Sequence, residues 1–256
     1  MKKLFWLLLI AGCTNNMERQ HKIISTFPQS LDAFYFSDVF LDAAEIDVER
    51  QIQKLRSEYT WESGNDVFNN SFTCSYRHKK GGETNGGKVV CEYLGNWHGH
   101  DIIARHYGTG GSGHFSDIVF CSFNAGKLHI HKTILLGDRA VEGMLAHPIF
   151  DNEGKIYFYM HLSNAALLKE AGLDEKIIQS DDGFTCYACY GIVGKCIYDI
   201  VEEKMKILSI TAFSNENKNS KIQSLIQPKM NNGMAIFNEM EAREFFKKLR
   251  EMYRTK

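Results

Sequence analysis

The chain has 256 residues, with 30 lysines and arginines against 31 aspartates and glutamates and a formal net charge of −1. That balance offers no basic face for nucleic acid, and a 44% hydrophobic composition with only three prolines argues against extended disorder. Seventeen Phe and eleven Tyr supply bulky core material, and the length suits one large domain or two small ones.

The opening stretch, MKKLFWLLLIAGC, places Lys2 and Lys3 before the apolar run Leu4–Ile10. A run this short cannot cross a bilayer as a helix, which needs ~20 apolar residues, so it reads as a secretory signal. Its end, Ile10-Ala11-Gly12-Cys13, resembles the lipobox of bacterial lipoproteins. That resemblance implies cleavage of residues 1–12 and a diacylglyceryl group on the Cys13 thiol, with the freed amine acylated as well. Acyl chains such as palmitate would then anchor the chain in a membrane. Thr14 stands where lipoproteins retained in the inner membrane often carry Asp, which implies an outer-membrane address facing the periplasm or the cell surface. Residues 13–24 form a polar tether, and 25–256 read as one β-rich envelope domain.

Residues 42–59 carry Val48, Ile52, Leu55 and Tyr59 at helical spacing and predict an amphipathic helix. From residue 70 onward short β-like runs alternate with Gly, Asn and Asp, and strands are predicted near 70–77, 87–94, 99–107, 116–123, 127–135, 143–149, 155–161, 183–190, 195–201 and 205–213. Connections such as Asn124-Ala125-Gly126 are hairpin-short, so neighbouring strands are expected to be antiparallel. Ser163 is a candidate cap for a helix from Asn164 to Ala171, closed by Gly172. Residues 214–235 show no clear pattern. After Asn238 an amphipathic helix is expected, facing the core with Phe245, Phe246, Leu249 and Tyr253. The fold class is therefore mainly β (α+β): an antiparallel meander forming a sheet, sandwich or partly closed barrel, with helices near both ends.

Beyond Cys13 there are six cysteines, and an even number in an exported chain suggests disulfides, with 15 pairings if all six join. A hairpin centred between Gly82 and Glu83 would set Cys74 opposite Cys91. Cys189 and Cys196 flank Gly191-Ile192-Val193-Gly194, which leaves Cys121 for Cys186. Cys186-x-x-Cys189 could instead be a redox motif or half a zinc site, but no helix signal follows it to lower a thiol pKa. Structural cysteines are the better reading.

Histidine carries the most tempting chemistry. His98 with His100, and His129 with His131, stand two residues apart, and on strands each pair shares a face. Four imidazoles from two neighbouring strands would suit Zn or Cu, although no cofactor is required by the sequence. The opposing reading is a solvated strand face, because Leu128, Ile130 and Ile134 supply the apolar side. His106 and His114 lie close in sequence, while His147 and His161 are isolated. No Gly-x-Ser-x-Gly elbow, phosphate loop or His-Glu-x-x-His helix occurs. Gly110-Gly111-Ser112-Gly113 stands between predicted strands and reads as a glycine-rich connection.

GGSGHFSDIVF and Gly137-Asp138-Arg139 resemble a GGSG-x-F strand entry and a GDRCNGG turn of bacterial exported proteins to which no activity is assigned; the resemblance covers about residues 108–170. Here Ala140, Val141 and Glu142 replace the Cys-Asn-Gly part, and Asp138 with Arg139 is expected to tie a tight connection together. These readings lead to a lipid-anchored, non-enzymatic binding or structural module of the envelope, with an envelope protein or glycan as partner and no nucleic acid. A metal- or small-ligand-binding protein is the alternative. An envelope hydrolase whose site assembles only in the fold, around His147 or His161, ranks third.

Overall fold

A computed structural model gives the fold and describes residues 33–37, 44–66, 71–80, 86–108, 114–136, 144, 148–151, 153–181, 191–213 and 219–254. The chain divides into two compact units, the first within Met1–Arg105 and Val119–Lys132, the second within His106–Ile118 and Thr133–Lys256. The expected class is the one found: mainly β, with a curled antiparallel seven-stranded sheet forming a half-barrel and a helix at the C-terminal end.

The seven strands are β1 (Glu45–Asp47), β2 (Tyr59–Asp66), β3 (Ser71–His78), β4 (Gly86–Trp97), β5 (His100–Gly108), β6 (His114–Asn124) and β7 (Lys127–Leu135), with helix α1 (Val48–Leu55) between the first two. Their order is β1-β7-β6-β5-β4-β3-β2, so β2 to β7 form an uninterrupted meander and β1 closes against β7. That order explains the curl. β1 and β2 are consecutive in sequence yet occupy opposite edges, joined only by α1 and Arg56–Glu58. Eight helical residues rise ~12 Å and three extended ones add ~10 Å. Six inter-strand gaps in a flat sheet would hold the edges ~29 Å apart, beyond that reach.

The predicted helix at 42–59 is thus much shorter, and its flanks are strands. Ile46 pairs with Leu128 and Glu45 with His129, while Tyr59 pairs with His78. Ladder hydrogen bonds outcompete helical propensity at both ends, and Asp47 caps the remnant by accepting from Arg50 N at 3.0 Å.

A short 3-10 turn, Ala33–Phe36, packs on β2, β3 and β4. Phe34 is fully buried and stacks on Trp61, centroids 4.3 Å apart and planes within 2°, with Tyr76 edge-on at 5.8 Å. Phe36 meets Phe72 edge-on at 5.8 Å, and the buried Arg105 guanidinium donates to the Phe36 carbonyl at 2.7 Å. Midway through β5 and β6, Ile102–Ala104 and Ile118–Cys121 are buried on both faces, so these segments read as apolar runs rather than alternations.

The second sheet runs β12-β11-β10-β9-β8, from β8 (Ile149–Phe150), β9 (Lys155–His161), β10 (Ile192–Asp199), β11 (Lys204–Ala212) and β12 (Ala235–Phe237). Among the described residues, Ile149 and Phe150 and a bridge from Met144 to Met160 fall at the strand expected at 143–149. The strand expected at 183–190 lies outside the described residues. Helices α2 (Asn164–Glu170), α3 (Glu175–Asp181), α4 (Ser220–Ile226) and α5 (Glu239–Arg254) complete this unit. Ser163 caps α2 as its sequence predicts, accepting from Ala166 N at 3.1 Å, and Gly172 closes it at φ +72°. The side chain of Arg250, on α5, donates to the Ala171 carbonyl and so ties α5 to that helix end. At the start of α5, Asn238 and Glu241 exchange side-chain-to-backbone bonds of 3.0 and 3.1 Å, a reciprocal capping box. Phe245, Phe246 and Leu249 are buried as expected, whereas Tyr253 is only half-buried, its hydroxyl accepting from Asn219 at 3.0 Å. α3 lies where no element was expected, and α4 falls in the stretch 214–235 that shows no clear pattern. Both are seven-residue helices, too short to display a full apolar stripe.

Candidate functional site

The histidine cluster lies in the first unit, and the structure brings together three of the four candidate ligands. His129 and His131 alternate onto one face of β7, centroids 6.4 Å apart. His131 approaches His100 of β5 to 4.2 Å between centroids, across β6. Between them Ser122 Oγ bonds His131 Nε2 at 2.8 Å. His129 Nδ1 lies 3.3 Å from Glu45 Oε2, and Glu45 also pairs with Lys127 at 2.6 Å. His98 is not part of the group. It occupies a two-residue hairpin turn with Gly99 (φ +50° and +86°), and its ring packs against Trp97 at 4.5 Å. The i, i+2 rule therefore holds for the pair on β7 and fails for the pair that spans a turn. Asn96 builds that turn, accepting from Gly99 N at 3.0 Å and donating to Asp101 at 2.9 Å.

Burial, followed by the neighbouring His100 and His129, holds the His131 imidazole below its ordinary pKa. The ring stays neutral at pH 7 and offers a lone pair. Glu45 is held below the usual carboxylate range by its hydrogen bond and charge contact with Lys127, which is raised in return. His100 Nδ1 is buried and makes no hydrogen bond among the described residues. Yet no group of three or more His, Cys, Asp or Glu among the described residues is arranged to hold a metal ion. The four-ligand site expected from spacing is corrected accordingly: three rings adjoin, and His98 is turned away by the hairpin.

The depressed His131 pKa has a sign. A proton binds the unfolded chain, near the ordinary pKa of 6.5, more tightly than the folded one. Stability is therefore expected to fall as pH drops below about 6.5. Urea midpoints at pH 7.5 and 5.5 will show the slope, and His131→Gln will flatten it; an unchanged slope would remove His131 from this account.

His106 is half-buried on β5 and His114 opens β6. His161 stands opposite Val193 in the β9–β10 ladder. His147, Asp138, Arg139 and residues 109–113 lie outside the described residues, as do Cys13, Cys186 and Cys189.

Cys74, Cys91, Cys121 and Cys196 are buried thiols, and none of them stands at disulfide distance from another. The expected Cys74–Cys91 bridge is overturned by register: Cys74 pairs with Val89 and Phe72 with Cys91, a slip of two residues. A two-residue slip keeps both side chains on one face but makes them diagonal neighbours, typically ~7–8 Å apart. A disulfide needs Cβ atoms within about 4.5 Å. The other two expected pairings each involve a cysteine outside the described residues. Burial, then the Glu170 carboxylate, pushes the Cys196 thiol up to about 12, and burial with Asp101 raises Cys121 further. At pH 8 Cys196 is therefore held as the unreactive thiol. With Cys13, Cys186 and Cys189 replaced by Ser, no maleimide labelling of the folded protein is expected, and four labels are expected in urea. Labelling at native rates of an exposed thiol would contradict this.

Sequence reading missed a cleft of about 300 Å³ in the second unit, floored by Phe237 and Phe245 and edged by the Lys229–Glu241 ion pair. It is formed by α4, the 3-10 turn Gln227–Lys229 and α5, the first two falling in the patternless stretch 214–235. The rings meet edge-on at 5.3 Å, and Lys229 Nζ lies 5.1 Å above Phe237.

Comparisons with protein-family models, curated proteins and solved structures find no match for this chain.

Proposed function

We propose that this protein is a lipid-anchored envelope protein, acylated through Cys13, whose β-rich domain binds or supports another envelope component and catalyses no reaction. The observation that carries the reading is Ile10-Ala11-Gly12-Cys13 behind Lys2, Lys3 and the short apolar run Leu4–Ile10. Among the described residues no helix is long and apolar enough to cross a membrane. Membrane attachment in this reading resides in the acyl chains, and Thr14 points to the outer membrane by analogy with sorted lipoproteins. Mass spectrometry of the N-terminal peptide from membrane-purified protein tests it. A mature N-terminus at Cys13 bearing diacylglyceryl is expected, and an unmodified Cys13 inside a longer chain overturns the reading.

A second reading is supported by the convergence of His100, His129 and His131. Neutral imidazoles are ligands for borderline cations, and in this reading His131 and His100 take up Zn²⁺ or Cu²⁺ on the sheet surface. Calorimetric titration with Zn²⁺ is expected to show affinity that falls at least tenfold in His100→Ala and His131→Ala and is unchanged in His98→Ala. Equal binding by all three variants would reduce the histidines to surface residues.

A further inference from the structure

We infer that His100 and His131 are half of a zinc site, completed by the same two histidines of a second copy of this chain. This inference rests on the metal-binding reading above and adds to it a partner and a stoichiometry. Ligand number is what calls for the second copy. Zn²⁺ in a closed protein site takes four ligands in a tetrahedron, and no group of three His, Cys, Asp or Glu that could hold a metal occurs among the described residues. One copy offers this adjoining pair of imidazoles, whereas two copies related by a twofold axis offer four on that axis. His129 does not join the pair: its ring lies 6.4 Å from that of His131 along β7, and its Nδ1 is held against Glu45 at 3.3 Å.

Each half has the features of a ligand pair. The two ring centroids are 4.2 Å apart. Two imidazoles on one tetrahedral Zn²⁺, with Zn–N of about 2.0–2.1 Å, have centroids roughly 5 Å apart. Small side-chain rotations span that difference. A metal-bound histidine usually donates its other ring N–H to an oxygen, which fixes the tautomer. Ser122 Oγ, 2.8 Å from His131 Nε2, is placed to be that oxygen, and it leaves the ring's lone pair on Nδ1. His100 Nδ1 is buried and makes no hydrogen bond among the described residues, so no protein group competes for it. His131 is exposed, with Ser122 and His100 half-buried, so the pair lies open to a second copy. The charged side chains that β1 and β7 place on this side are Glu45 and Asp47 against Lys127, a net of one negative charge per copy. Two copies therefore bring two negative charges to a dication.

The test uses chain 13–256 carrying Cys13→Ser and no purification tag. It is repeated with Cys186→Ser and Cys189→Ser, so that zinc held by that cysteine pair is not counted. Sedimentation velocity and native mass spectrometry are run in EDTA and again with Zn²⁺ added. A monomer is expected in EDTA and a dimer holding one zinc per two chains after addition, reversed by EDTA. His100→Ala and His131→Ala should each stay monomeric at zinc concentrations that pair the parent, and His98→Ala should pair as the parent does. Ser122 is a positioning residue: Ser122→Ala should raise the zinc needed for half-dimerisation by roughly 10–100-fold, and Ser122→Thr should restore most of it. A monomer that binds one zinc per chain through His100 and His131 overturns the second-copy site and leaves the metal reading standing. Absence of zinc binding overturns both. A dimer that persists in EDTA, or that forms equally well in His100→Ala and His131→Ala, also overturns the inference.

Discussion

Replacing Cys13 by Ser in the full chain is expected to abolish acyl incorporation and leave residues 1–12 uncleaved. The thiol is the group that the diacylglyceryl chain would join, and serine offers no thioether. Each acyl methylene contributes ~0.8 kcal/mol, so one chain binds marginally and two or three bind firmly. The protein beginning at Thr14 behind an ordinary secretory signal should therefore leave the membrane fraction. Palmitate labelling, the mass of the mature N-terminus and fractionation at low and high salt read the three effects independently. A Cys13→Ser protein that is still processed and equally membrane-bound would end the anchoring proposal.

Truncating Phe34 to Ala is expected to cost the first unit about 3–5 kcal/mol, the range for removing a buried aromatic side chain. The ring is fully buried between Trp61 and the edge of Tyr76, so its loss leaves a cavity and forfeits two aromatic contacts. It also loosens the turn whose Phe36 carbonyl accepts from buried Arg105, weakening that hydrogen bond. Against typical total stabilities of about 5–15 kcal/mol, such a change lowers the melting temperature by roughly 10 °C or more. Urea denaturation followed by tryptophan fluorescence is well placed, since Trp61 is the stacking partner. Phe34→Leu should recover much of the loss. A cost below about 1 kcal/mol would mean that this turn does not cover the sheet in solution.

The meander was legible because strands and hairpin turns are local events. The β7 boundaries match residues 127–135, and those of β9 match 155–161, because short turns and period-2 patterning bracket each strand. The helix after Asn238 was legible for the same reason, with its apolar face written in nearby residues; its capping box was seen only in the structure. Where segments took their structure from distant partners, local reading failed. Glu45–Asp47 looked helical, yet it is a strand because β7 offers an edge. Tyr59 looked like the last turn of that helix, yet it begins β2 against β3. The histidines divide in the same way. The β7 pair was readable from alternation, whereas the exclusion of His98 depended on which residues the hairpin chose for its turn.

By itself, then, the sequence determined the antiparallel β class, the caps of the helix after Ser163 and the faces of the regular strands, all of which depend on neighbours a few residues away. Only the tertiary structure decided that the sheet curls, that Cys74 faces Val89 across the ladder rather than Cys91, and that His100 meets His131 over Ser122. The physical reason is that register and closure are collective. A two-residue slip keeps every side chain on its own face, so patterning cannot detect it. An eleven-residue link between opposite edges requires the seven strands to curl, a constraint that no single strand's pattern displays.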